Sequence, residues 1–212
     1  MSELEIPKRI TIAKLQRKGV IGLLGKLTQG FWHLYSRWYL GPQFAHFGSG
    51  TVIRKPLFIS NPGGISIGSN SFVRDGVRLE VVDRRNQEPG RLSIGNNVDI
   101  EQNVHIVACG NVFIDDDVCI TAGVAIVDTS HPFGHSGDGN RAGRVGSGDA
   151  RVYIGKRVFI GVGSVILPNV TIGDNSVIGA GSVVTHDIPA NTVAVGAPAR
   201  VIKQIPVLPT DG

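Results

Sequence analysis

The sequence predicts an all-β fold: a left-handed parallel β-helix, a triangular prism of hexapeptide repeats, with an N-terminal helical segment and one extruded loop. Three observations carry this: a six-residue aliphatic period, a composition rich in glycine and poor in aromatics, and discrete breaks in the period. From Ile94 to about Pro189 an aliphatic residue recurs every six positions. The longest register is Ile154, Ile160, Ile166, Ile172, Ile178 and Val184, and shorter ones run Ile94, Ile100, Ile106 and Ile114, Ile120, Ile126. Four residues after each stands a small or β-branched residue, as at Val98, Val104, Val118, Val124, Val158, Ser164, Val170, Ser176 and Ser182. Period six fits neither a 3.6-residue helix nor a two-residue strand alternation. It fits a solenoid in which each hexad makes one short strand and one corner, and three hexads close a coil. Gly68, Gly95, Asn97, Gly155, Gly173, Asp174 and Gly179 fall near the corners, where a positive φ costs such residues little.

Composition agrees. The chain has 29 glycines and 42% hydrophobic residues but only 6% aromatics, as thin stacked aliphatic walls require. Its 212 residues allow one domain with modest additions. The expected division is an N-terminal cap or membrane-contacting segment at 1–47, the β-helix at 48–189 with an extruded loop at 132–153, and a C-terminal cap and tail at 190–212. About five coils stacked at strand spacing give a prism roughly 24 Å tall. Such a stack buries its core only between neighbours, so its ends need caps. The two cysteines, Cys109 and Cys119, form no disulfide framework. The first nineteen residues carry five basic residues and no apolar core of signal-peptide length. A cytoplasmic setting is expected.

Residues 1–40 differ from the rest. Lys8, Arg9, Lys14, Arg17, Lys18, Lys26 and Arg37 face only Glu3 and Glu5, a net +5, while the remaining 172 residues sum to −1. Both tryptophans and two of the three tyrosines lie in the stretch Phe31 to Leu40. Lys26, Gln29, His33 and Arg37 interrupt the apolar-aromatic run from Val20 to Leu40, which argues against a membrane span. Basic residues beside Trp and Tyr suit an interfacial helix on anionic lipid. A cap helix laying its aromatics over the open end of the solenoid or on a neighbouring subunit also explains them, and one helix can do both.

Three breaks interrupt the register. One insertion spans Asp83 to Gly90, two extra residues fall around Gly110 and Asn111, and a 22-residue excursion from Pro132 to Tyr153 follows the hexad ending at His131. A loop this long in a compact fold is commonly functional.

Thr129-Ser130-His131-Pro132, the coil pair Val170 to Thr185, and the closing Gly196-Ala197-Pro198-Ala199-Arg200 together resemble the hexapeptide-repeat acetyltransferases. The likeness is greatest to the galactoside and maltose O-acetyltransferases and related polysaccharide O-acetyltransferases, and covers about residues 94–205. The resemblance implies a homotrimer with sites between adjacent prisms, acetyl-CoA as co-substrate, no metal, and His131 as general base. A neutral imidazole near pH 7 suits that task. It further implies an oxyanion donor at the Gly161 backbone, a pantetheine slot near Gly161, Ala180 and Thr185, and phosphate contacts from Arg200 and Lys203. His186 stands where the family has lysine. For the acceptor, Glu101 aligns with the family's asparagine, and Asp83, Arg85 and Asp128 are candidates by position. The acceptor is expected to be a carbohydrate hydroxyl, in a surface-polysaccharide precursor that the basic aromatic N-terminus tilts toward a lipid-linked form. Peripheral contact with the inner face of the cytoplasmic membrane then falls to residues 1–40, and no nucleic-acid partner is expected.

Two other classes share the repeat. A γ-type carbonic anhydrase would need His105, His131 and His135 as zinc ligands. A non-catalytic scaffold would tolerate loss of His131. His105 and His131 end different sides of their coils, so they could meet only between subunits.

Overall fold

The computed structural model describes residue 28 and residues 30–83, 90–129 and 150–206. Within them, strands of two to five residues wind into a left-handed parallel β-helix with three faces. Face 1 stacks His46–Phe47, Ile65–Ile67, Arg91–Ile94, Asn111–Ile114, Arg151–Ile154 and Val170–Ile172. Face 2 stacks Val52–Ile53, Phe72–Val73, Asp99–Ile100, Cys119–Ile120, Phe159–Ile160 and Val177–Ile178, then continues into Thr192–Val195. Face 3 stacks Phe58–Ser60, Arg78–Val81, His105–Ala108, Ala125–Val127, Val165–Ile166 and Val183–Val184. Connections between parallel strands are usually right-handed because strands twist. Strands this short carry little twist, which leaves the corners to set the hand.

Six coils are complete, where the repeat alone suggested about five. The first two keep the six-residue step within each coil, at Phe47, Ile53, Ile59 and at Ile67, Val73, Leu79, but extra residues at the corner between faces 3 and 1 separate them from each other and from Ile94. The strands also extend beyond the expected 48–189, from His46 to Val195. Ile154 and Ile172 pair at the ideal eighteen-residue step, whereas Ile67 pairs with Ile94 and Ile114 with Ile154 across insertions. Tyr153, expected at the end of the loop, already lies in the face 1 strand. His131, Arg85, His135, the loop through residue 149 and residues 1–27 lie outside the described residues.

The aliphatic rows form the core as expected. Ile100, Ile120, Ile160 and Ile178 on face 2, and Leu79, Ile106, Ile126 and Ile166 on face 3, are fully buried. Each such side chain contributes roughly 1.5–3 kcal/mol by leaving water. At the corner between faces 1 and 2, Asn70, Asn97, Asp117, Arg157, Asn175 and Asn191 hold the left-handed conformation. Gly68, Gly95, Gly155 and Gly173 were expected to serve there by positive φ, and do not. A Cβ on Gly95 would stand 2.7 Å from the Asp115 carbonyl carbon, and one on Gly173 only 2.4 Å from the Ala190 nitrogen. These glycines are fixed by close coil stacking, with no room for a methyl group. Nearby, the Asp116 carboxyl is held below its usual range, first by the Asn96 backbone N–H and then by neighbours that include Lys156 at 3.3 Å.

The N-terminal end is capped. Residues 30–35 are α-helical and Ser36–Leu40 widen into a π-turn. Ser36 is buried, and its hydroxyl accepts the Ile53 N–H at 2.9 Å and donates to the Ile53 carbonyl at 3.0 Å. That satisfies main-chain groups on the open edge of face 2, while Leu40 and Phe44 cover the aliphatic rows. At the other end Arg200–Gln204 pairs antiparallel with Thr192–Val195 and closes face 2. Ser36→Ala leaves a buried N–H and carbonyl unpaired, so denaturant unfolding should show a loss of about 1–3 kcal/mol. An unchanged midpoint would mean the cap is anchored elsewhere.

Candidate active site

Both extrusions leave the prism at one corner, between faces 3 and 1. Val81 and Arg91 bracket the first insertion, and Val127 and Arg151 bracket the second. Asp128 begins the second excursion and is 1% exposed. Its carboxylate accepts the Cys109 N–H at 2.6 Å and the Gly110 N–H at 2.8 Å. Asp128 was a candidate acceptor contact; instead its oxygens are committed to main chain, tying the bulged turn at Gly110 to the segment that leads to His131. This anchoring suits Asp128 to hold the chain at that corner rather than to contact a substrate. Asp83, where the other insertion starts, is exposed at the same corner.

The corner between faces 2 and 3 has two halves. In the lower coils it is charged: Arg54 pairs with Asp75 at 3.1 Å, and Arg74 pairs with Glu101 at 3.6 Å while lying over the Phe72 ring. Glu101 is therefore not a bare carboxylate; Arg74 is its partner, and sequence reading missed it. In the upper coils the corner turns small: Thr121-Ala122-Gly123, Gly161-Val162-Gly163 and Gly179-Ala180-Gly181. Gly123, Gly163 and Gly181 are left-handed, and nothing lies within 4 Å of where their Cβ atoms would stand. An open strip runs up the prism edge. It leads to the terminal strand that carries Arg200 and Lys203, both exposed.

The Gly161 N–H is not an oxyanion donor, because it bonds the Ile178 carbonyl at 2.8 Å in the coil ladder. Gly161 is needed for stacking, since a Cβ there would meet the Ala180 nitrogen at 2.5 Å. The next residue, Val162, sits at the exposed tip of the corner, and its N–H makes no hydrogen bond among the described residues.

The expected cofactor residues divide between corners. Gly161 and Ala180 lie between faces 2 and 3, whereas Thr185 and His186 lie beyond Val183–Val184, between faces 3 and 1. There the Thr185 hydroxyl meets His186 Nδ1 at 2.8 Å. His105, read as ending a second side, opens the face 3 strand His105–Ala108 and is half-buried. Among the described residues no group of three or more His, Cys, Asp or Glu could hold a metal ion. Cys119 faces outward on face 2, where burial, then Asp99 and Glu101, push its thiol above the usual range.

The left-handed β-helix narrows the class, and its relatives assign it. Residues 151–186 match the family described as "Bacterial transferase hexapeptide (six repeats)". The chain is 36% identical over 159 residues to WbbJ of Escherichia coli K12, named for lipopolysaccharide biosynthesis O-acetyl transfer, covering 72% of this chain and 78% of that one. Against the galactoside O-acetyltransferase of the same organism, identity is 45% over 125 residues, covering 56% of this chain and 60% of the relative. Among solved structures, AntD, an N-acyltransferase from Bacillus cereus in complex with dTDP and 3-hydroxybutyryl-CoA, superposes with a TM-score of 0.64 at 26% identity, over 78% of this chain and 85% of that one. A maltose O-acetyltransferase from Clostridium difficile 630 gives 0.53 at 31%, over 86% and 84%. The chain belongs to the hexapeptide-repeat acetyltransferases, and it is an acyltransferase that uses acetyl-CoA.

Asp128→Ala strands two buried N–H groups and frees the base of the loop. It should lower stability by about 2–4 kcal/mol and reduce turnover at saturating acetyl-CoA, with Asp128→Asn between it and wild type. Full activity in the alanine variant would remove the positioning role.

Proposed function

We propose that this enzyme transfers acetyl from acetyl-CoA to a sugar hydroxyl of a surface-polysaccharide precursor, at sites between subunits of a homotrimer. The open strip on the 2–3 corner, closed above by two cations, is the observation that carries the reading. Pantetheine lies along Gly163 and Gly181 beside Ala180, and the CoA 3′-phosphate meets Arg200 and Lys203. Because Thr185 and His186 project from the other corner, they belong to the facing wall supplied by a neighbouring prism. His131, which follows the Asp128-anchored turn on that same 3–1 corner, then meets the strip of the next subunit.

The chemistry follows from these placements. His131 takes the acceptor hydroxyl proton as the oxygen attacks the thioester carbonyl. The Val162 N–H is positioned to stabilise the oxyanion, the role first expected of Gly161. The imidazolium returns its proton to the departing thiolate. Below, Glu101, held by Arg74, accepts a bond from a second sugar hydroxyl, and Asp83 and Arg85 flank the acceptor from the other corner. The similarity to WbbJ supports a polysaccharide acceptor. AntD structures with dTDP or a dTDP-amino sugar support a sugar carried on a diphosphate. A lipid-linked precursor places the chain at the inner face of the cytoplasmic membrane, in peripheral contact through residues 1–40.

His131→Ala should retain acetyl-CoA binding and the trimer while turnover falls by about two to four orders of magnitude. Near-wild-type turnover would remove His131 as the base. Arg200→Ala with Lys203→Ala should raise KM for acetyl-CoA and leave that for acetyl-dephospho-CoA nearly unchanged. Equal losses with both donors would assign the pair to the terminal hairpin alone.

A further inference from the structure

The cap helix has two faces, and only one is used by the prism. Ser36 and Leu40 pack inward, while Phe31, Leu34 and Trp38, spaced three and four residues apart, share the opposite face. Trp38 is 71% exposed, Leu34 62% and Phe31 57%. Packing over the solenoid therefore does not account for them. The apolar surface continues onto the first coil, where Leu57 and Phe58 are exposed beside Tyr39 and border a groove of about 320 Å³. The Arg37 guanidinium lies 5.6 Å from the Trp38 ring centroid, and exposed Lys55 stands next to the Pro56-Leu57-Phe58 edge.

Charge is sorted along the prism. Residues 6–74 contain ten Lys/Arg and no Asp or Glu, whereas residues 75–212 contain eleven Lys/Arg and fifteen Asp/Glu. The acid-free part includes the cap and the whole first coil. An apolar aromatic face set in a basic field fits a surface that is anionic outside and apolar beneath.

We infer that the outer face of the cap helix, with Leu57 and Phe58 of the first coil, is the surface that docks this enzyme on an anionic lipid bilayer. This deepens the peripheral contact proposed above and rests on that reading; it names the surface and fixes a height. On face 3 the strand ending at Val127, where the chain departs toward His131, lies three strand spacings above Phe58–Ser60, about 14 Å. A cyclic rotation preserves direction along its axis. In the proposed trimer all three caps therefore face one bilayer, and three weak contacts act together.

The test uses the full chain with phosphatidylglycerol/phosphatidylcholine vesicles and with phosphatidylcholine alone. Wild-type protein should sediment with the anionic vesicles at low salt and release as salt rises. The triple variant Phe31→Ser, Leu34→Ser, Trp38→Ser should bind at least tenfold more weakly yet keep its activity on a water-soluble acceptor. In a Trp32→Phe background, lipids brominated near the headgroup should quench Trp38 fluorescence. Undiminished binding by the triple variant, with Trp38 unquenched, would overturn the assigned surface and leave membrane contact to residues 1–27. No binding by wild type at low salt would overturn the membrane reading itself. Loss of a higher oligomer in the triple variant, without vesicle binding by wild type, would give the face to a second copy.

Discussion

Everything in this molecule is subordinate to the spacing between coils. Each coil donates its main-chain N–H groups to the one above, as Gly155 does to Ile172 and Gly173 to Ile188, both at 2.8 Å. That ladder holds adjacent strands roughly 4.8 Å apart. Side chains pointing inward must stack at the same interval, so aliphatic residues recur in rows. Corners must turn within it as well, which selects Asn at one edge and glycine at another. Ser164, Ser176 and Ser182 are buried because their hydroxyls return hydrogen bonds to neighbouring carbonyls at 2.6–2.9 Å. A polar atom inside the stack persists only when paired in this way.

The same constraint decides where function can go. A side chain inside the prism has no freedom, and a flat outer face offers no concavity. Chain can be added only at a corner, and both large additions leave through the corner between faces 3 and 1. There Asp128 compensates the local disruption by accepting two main-chain N–H groups that the bulge at Gly110 removes from the ladder. A free donor can also occur at a corner tip, where the ladder skips a residue. Val162 has its N–H available for that reason, while Gly161, one position earlier, does not. Loop and donor emerge on different edges of one prism, which makes the neighbouring subunit a geometric requirement of the proposed mechanism.

Much of this was legible in the sequence because the period is covalent. Rows such as Ile154, Ile160, Ile166 name their own faces, and the breaks at Asp83 and Pro132 name the extrusions. The first two coils were harder to read, since Asn61 to Gly64 lengthen the corner after the first and the Asp83 insertion lengthens the corner after the second. Relations between coils were harder still. Arg74 and Glu101 stand 27 positions apart across an insertion, so their pairing follows only from knowing which strands stack. The glycine misreading has a similar origin. Gly95 and Gly123 look alike in sequence, yet one is excluded from bearing a methyl group by the coil above it and the other by its own φ of 70°.

The two ends of the prism answer one problem in different ways, and the difference bears on function. An open end exposes both the aliphatic rows and the unpaired ladder. The C-terminal end closes with an antiparallel strand, a compact solution that leaves Arg200 and Lys203 beside the open strip. The N-terminal end uses a helix whose inward face, Ser36 and Leu40, suffices for closure. Closure alone would be served by a polar outer face, as capping repeats generally require for solubility. Instead the helix presents Phe31, Leu34 and Trp38 to solvent, alongside a first coil without a single acid group. Exposed apolar surface of this kind costs solubility and offers nothing to the fold. Its physical rationale lies outside the prism, at the end opposite the cations of the terminal strand.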